Sequence, residues 1–206
     1  MLFRSRIHQV EWLGWADAAK VEAAHSVNVD TSFYTWGPAV IYPDGPTHQA
    51  HGYINGSGQL MRFVDQQGVL VPTWGIVTSL NDEQLLVDTC GGVPFVCSEQ
   101  LTGAQALAVS QKLIDASQAG DYAAVMTQFH VDYFGWPDVQ TWATGTMDYA
   151  ASLGIPNRTV ERFWRYTTAR AASAVTGVVW NGSTRQLTFT ASVPDRKSTR
   201  LNSSHT

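Results

Sequence analysis

The residues most able to do chemistry in this sequence stand at the ends of short apolar runs. His130 closes the run AVMTQFH and precedes a polar-aromatic loop, VDYFGWPD. An imidazole at the carboxyl end of a strand sits where an α/β enzyme places a general acid or base; a hydrogen-bonded structural histidine is the other reading. Asp30 lies inside VNVDTSFY. A carboxylate in such a run must be paired or protonated, so it tunes a neighbouring histidine, positions a substrate, or caps the strand end. Arg6 and His8 are two apart on an expected strand and share a face. Arg6 there could anchor a carboxylate such as Asp30 through two hydrogen bonds, or both could lie on an exposed edge.

Other polar groups say less. Arg62 and Asp65 flank a strand in MRFVD, which reads as a structural ion pair. His48 and His51 in THQAHG have a spacing that suits a metal on a helix, but their glycine- and proline-rich surroundings do not suggest one. No nucleophilic serine elbow is present. The GSG at 56–58 lacks the Lys-Ser/Thr sequel of a phosphate loop.

The elements that must position these groups alternate between strand and helix. A strand is expected from about Ser5 to Trp12, and an alanine-rich helix over Ala16–His25 with Ala19, Val21, Ala23 and Ala24 on its buried side. A β-branched strand follows over Val27–Tyr34. Strand, short helix, strand implies a crossover between parallel strands. Residues 35–58 form a long loop rich in Gly and Pro. Leu60–Asp65 and Val69–Trp74 then read as a hairpin around QQG. A helical turn is expected over Ser79–Leu86 with Asn81 as N-cap, an amphipathic helix over Thr102–Ala119, and a buried strand over Ala123–Phe129. Helices at Asp138–Leu153 and Glu161–Ala172 come next. From Ala174 the pattern becomes two alternating runs around NGS, a second hairpin.

With 206 residues, 44% hydrophobic and 15% charged, the chain suits one α/β domain with a real core, or a domain and a fragment. A formal net charge of -4 leaves no electrostatic footprint for nucleic acid. No run is long and apolar enough for a membrane span. Cys90 and Cys97 flank GGVPFV and are either a short-loop disulfide of an exported protein or two free thiols. The final stretch, DRKSTRLNSSHT, changes composition abruptly. It resembles a translated sequencing adapter, so 195–206 is set aside as a non-native tail; the natural C-terminus is then expected to be missing, and Met1 need not be a true start.

Taken together in order and spacing, RIHQVEW, HSVNVDTSFYTWGP, GSGQLMRFVDQQG, TQFHVDYFGW and VVWNGSTRQLTF resemble the polysaccharide deacetylase (NodB-homology) superfamily, in a divergent branch of large secreted bacterial proteins. The resemblance implies the C-terminal part of a distorted (β/α) barrel over residues 1–173. An insertion at 35–75 would cover the barrel mouth, and a hairpin at 174–194 would start a β-rich appendage. It also implies metal-dependent removal of acetyl groups from amino sugars. Of the five motifs of such enzymes, Arg6-Ile7-His8 stands where the third should be, with His8 departing from its proline. Asp30 fits the fourth motif and His130 the fifth, as general acid. The first two, which carry the base and the ligands of a zinc-type divalent metal, have no counterpart and are expected upstream of Met1. The resemblance thus implies a glycan substrate, His130, Asp30 and Arg6 as catalytic groups, and His8, Trp12, Trp36 and Trp136 along the substrate. It assigns no metal ligand here and implies a chain inactive by itself. The competing expectations are a non-catalytic sugar-binding barrel, with Trp12, Trp36, Trp136 and Trp142 exposed for stacking, and a structural module of a secreted surface protein.

Overall fold

A computed structural model describes residues 3–7, 12, 14–33, 57–87 and 99–193. His8, Trp36, His48, His51, both cysteines and the tail at 195–206 lie outside the described residues. The chain divides into two compact units, Met1–Arg158 and Thr159–Thr206. The second unit therefore begins with the last helix, earlier than the change of pattern at Ala174.

The first unit is mixed α/β. Strands β1 (Arg4–Ser5), β2 (Val29–Asp30), β3 (Met61–Val64) and β4 (Leu70–Gly75) form one sheet in the order β1-β2-β4-β3. The β1–β2 and β2–β4 pairs are parallel, with Ser5 opposite Asp30 and Asp30 opposite Gly75. Helix α1 (Asp17–Ala24) is the crossover between β1 and β2, as the strand-helix-strand pattern requires. Its buried residues are Ala19 and Glu22, whereas Val21 is exposed. Of the residues expected to face the core, Ala19 is buried and Ala23 packs against it, whereas Val21 and Ala24 are exposed; the buried face follows the three-residue spacing Ala16, Ala19, Glu22. Strand β2 is much shorter than the run Val27–Tyr34 that announces it.

The β3–β4 hairpin turns on Asp65, whose Oδ1 accepts the amides of Gln67 at 3.0 Å and Val69 at 2.8 Å. Asp65 is ion-paired with Lys20 of α1 at 3.3 Å rather than with Arg62. The Arg62 guanidinium instead donates to the Val71 carbonyl at 2.8 Å and lies over the Trp74 ring. Ala16, Ala19 and Val71 make a small core here, with Trp12 and Phe63 against it.

A second parallel pair joins β5 (Leu80–Asn81) to β6 (Thr127–Gln128), with Leu80 opposite Thr127 and Asn81 opposite Gln128. Between them run α2 (Asp82–Leu85) and α3 (Gly103–Ala116), and after β6 comes α4 (Pro137–Ser152). Asn81 caps α2 through its side chain, which accepts the Gln84 amide at 2.7 Å. Thr102 and Gln105 form a reciprocal capping box at the start of α3. The stretch Ala123–Phe129 was expected to be a buried strand; only two of its residues pair, and it is half-buried at best.

Helices α3 and α4 run in the same direction: Gly103 meets Asp138, Ser110 meets Trp142, and Asp115 meets Tyr149. Their close approach depends on glycine. A Cβ on Gly103 would fall 2.5 Å from the Asp138 carbonyl oxygen, and one on Gly145 would fall 2.8 Å from Leu107. Leu80, Leu85, Ala106, Leu113, Trp142 and Ala143 form the main core. Trp142 is 1% exposed and donates its indole N–H to the Ser110 hydroxyl at 2.8 Å. It is a core residue and not one of the glycan-stacking tryptophans expected. Among the described residues neither sheet closes into a barrel.

The second unit comprises α5 (Val160–Ala171) and the antiparallel hairpin of β7 (Ala174–Asn181) and β8 (Gln186–Ser192). Thr159 caps α5 by accepting the Arg162 amide. The register of the hairpin shifts between Thr176 and Val179, a bulge taken up by Gly177 at φ 61. Every residue of both strands is exposed.

Candidate functional site

The site is built where β5 and β6 end side by side. Their parallel register brings the residue after β5, Asp82, next to His130, two residues beyond β6. Asp82 is the first residue of α2 and is fully buried. Its Oδ1 accepts the Glu83 amide at 2.9 Å and faces His130 Nδ1 at 2.8 Å, while its Oδ2 accepts the His130 backbone amide at 2.5 Å. One carboxylate thus grips the histidine at two points, main chain and ring. With Nδ1–H donating to Asp82, the neutral ring carries its lone pair on Nε2. That nitrogen lies 3.8 Å from Glu83 Oε1, beyond a direct hydrogen bond. The ring is 26% exposed, so Nε2 can exchange a proton with a bound molecule while its other edge is fixed.

The loop after His130 adds aromatic walls. A 3-10 turn over Val131–Tyr133 brings the Tyr133 ring to 5.2 Å from the imidazole, and Trp136 stands 5.5 Å from Tyr133. Burial, then the charges of Glu83, Asp82 and Asp132, push the Tyr133 hydroxyl above its ordinary range, so it stays a neutral donor. Trp136 is 52% exposed and precedes Pro137 at the start of α4, so its ring is held on a rigid helix end.

The other expected site residues are placed elsewhere. The carboxylate against His130 is Asp82, not Asp30. Asp30 accepts the Ser32 hydroxyl at 2.6 Å and the Ser32 amide at 3.1 Å, and neighbours the carboxyl of Glu22. Arg6 is exposed, one residue beyond the Ser5 that pairs with Asp30, so strand alternation turns it to the opposite face. Trp12 is half-buried, stacked on Phe63 at 5.2 Å and tilted against Phe33 at 5.0 Å. One of its faces is therefore taken. Among the described residues of the expected set, His130 and Trp136 share a neighbourhood, through Tyr133.

Asp82 and Glu83 were missed because LNDEQ reads as an ordinary capped helix start, where acidic residues are favoured by the dipole. The usable signal was the short apolar run ahead of Asn81, which puts Asp82 at a strand end as well as a helix start. Among the described residues no group of three or more His, Cys, Asp or Glu side chains is arranged to hold a metal ion. The zinc-type metal implied by the resemblance therefore finds no fitting donor set in them, and no chemical step here is routed through it.

No protein-family model, no curated protein and no solved structure matches this chain.

Proposed function

We propose that the chain is part of a carbohydrate-active hydrolase of the polysaccharide deacetylase type, built on a distorted (β/α) barrel and acting on N-acetylated glycans at a secreted or cell-surface location. The observation that carries this reading is the two-point grip of buried Asp82 on His130 at the ends of two parallel strands. Strand ends of this kind are where α/β enzymes gather their sites. In the proposed reaction, protonated His130 Nε2 delivers its proton to the amine leaving the scissile amide, and Asp82 keeps the ring aimed and balances its charge. Trp136 and Tyr133 offer the flat apolar surface on which a sugar ring stacks, and Glu83 accepts from its hydroxyls. The nucleophile-activating base and the metal belong to motifs with no counterpart in this sequence, so the 206-residue chain is expected to bind such glycans without deacetylating them.

The test is a titration of the chain with N-acetylated chitooligosaccharide, followed by heteronuclear NMR, and an acetate-release assay with zinc added. Shifts centred on the Trp136 indole and the His130 ring, without acetate release, are expected. Absence of binding at these residues defeats the glycan reading, and acetate release by this chain defeats its inactivity.

The exposed Trp136 beside half-buried Tyr133 equally suits a non-catalytic carbohydrate-binding module. The two readings differ at Asp82. A binding module that uses only Tyr133 and Trp136 tolerates Asp82→Asn with unchanged glycan affinity, whereas a site that uses the His130 ring held by Asp82 loses affinity.

A further inference from the structure

The second buried aspartate belongs to a cluster that this reading does not use. Glu22 lies on the face of α1 that meets the sheet, and Ser5 and Asp30 are register partners on β1 and β2, so all three point into one layer. The Ser5 hydroxyl donates to Glu22 Oε1. The Ser32 hydroxyl donates to Asp30 Oδ2 at 2.6 Å, and itself accepts the Ile7 amide at 2.7 Å. Asp30 is fully buried and Glu22 is 8% exposed. The groups acting most strongly on either carboxyl are the two serines and the other carboxyl. Two buried carboxylates cannot both be ionised in such a layer without a large desolvation and repulsion cost. A single proton between them removes one charge.

We propose that Glu22 and Asp30 hold one proton between them, and that this proton is a latch seating helix α1 on strands β1 and β2. The latch is closed while the proton is bound and loosens when it leaves. Burial pushes Glu22 up to about 7, with the Asp30 charge adding to the rise and the Ser5 hydroxyl opposing it. The switch therefore falls near neutral pH. Among the described residues no basic side chain is among the groups acting most strongly on either carboxyl. Arg4 on β1 and Arg6 just beyond it are exposed and flank Ser5. Lys20 of α1 is engaged with Asp65, and His25 at its end is exposed. Strand β4, packed under α1, carries no titratable side chain.

Hydrogen exchange on the whole chain tests this, read at the α1 amides from about pH 5.5 to about pH 8.5 and corrected for intrinsic exchange. Protection in α1 is expected to fall roughly tenfold across that range, with α3 and α4 unchanged, and to stay flat in Glu22→Gln. Equal α1 protection at both ends in the wild type, or the same fall in Glu22→Gln, overturns the proposal. Should Glu22→Gln fail to fold, carbon-13 NMR of the wild-type glutamate carboxyls decides. A Glu22 carboxyl titrating near neutrality supports the latch, and one titrating in the ordinary glutamate range removes it.

Discussion

Asp82 and Asp30 make a controlled comparison within one molecule. Both are fully buried aspartates at the carboxyl ends of short parallel strands. Asp82 meets a backbone amide, the amide of its own helix start and an imidazole, all able to donate. Asp30 accepts a hydroxyl and an amide from the one residue Ser32, and faces another carboxyl. The first arrangement surrounds a carboxyl with donors and holds a histidine in place. The second makes charge costly and stores a proton inward. Burial at a strand end therefore does not define a catalytic carboxylate; the donors around it do. This is why the proposed site centres on His130 and Asp82, while Asp30 is assigned to the proposed latch.

The comparison is broken most forcefully at Asp82. Replacing it by alanine removes three hydrogen bonds, including the one that fixes the imidazole. A loss of about 3 kcal/mol is expected from removing a buried acceptor and leaving its donors unsatisfied, moderated because His130 is partly exposed. Urea unfolding of the two proteins near neutral pH measures it, together with the His130 ring signals, which should lose their single tautomer. A change below about 1 kcal/mol would mean that Asp82 is a passive neighbour.

At the other aspartate the sign should reverse with pH. Glu22 has a folded pKa of about 7, above its ordinary 4.5. Between these values the native state binds more protons than the unfolded chain, so stability falls as pH rises. The contribution is fully present below about 4.5, is lost through about 7, and is level beyond. Its size is on the order of 3 kcal/mol as an upper bound. Asp30 is also raised by burial, which adds to the fall. Asp30→Asn keeps a hydrogen-bonding side chain and removes the opposing charge. It should flatten this dependence and match or exceed the wild type by about 1 kcal/mol above neutrality. Urea midpoints measured across the pH range decide; a wild type that gains stability from acid to neutral pH would contradict the carboxyl pair.

How far these centres could be read in the sequence follows from which interactions are local. The Asn81 cap, the α4 limits near Pro137 and Gly154, and both hairpins are governed by residues within a few positions, and each was legible. His130 was legible as a strand-end group because its own run announces it. Its partner was not, since Asp82 lies 48 residues away and is matched to it only through the β5–β6 register. Glu22 was hidden for a different reason. In an alanine-rich helix a charged residue reads as solvent-facing, and Val21 as buried; the sheet reverses both. Trp12 and Trp142 show the limit for aromatics. Composition cannot say which tryptophans pack and which stay exposed, and here Trp142 fills the core while Trp136 does not.

The smallest expected effect on stability separates the walls of the site from its frame. Trp136 is half exposed and touches the core little, so Trp136→Ala should change unfolding free energy by less than about 0.5 kcal/mol. If a sugar stacks on it, the same change should weaken binding of N-acetylated chitooligosaccharide by roughly 0.5–1.5 kcal/mol, or about two- to tenfold in Kd. Trp142→Ala provides the contrast: its ring is enclosed by the main core, and about 3–5 kcal/mol should be lost with no selective effect on the ligand. Calorimetric titration alongside urea unfolding reads both quantities on the same samples. A Trp136→Ala protein that binds the glycan as well as the wild type would remove the stacking surface from the proposed site, leaving the Asp82–His130 pair without a sugar to act on.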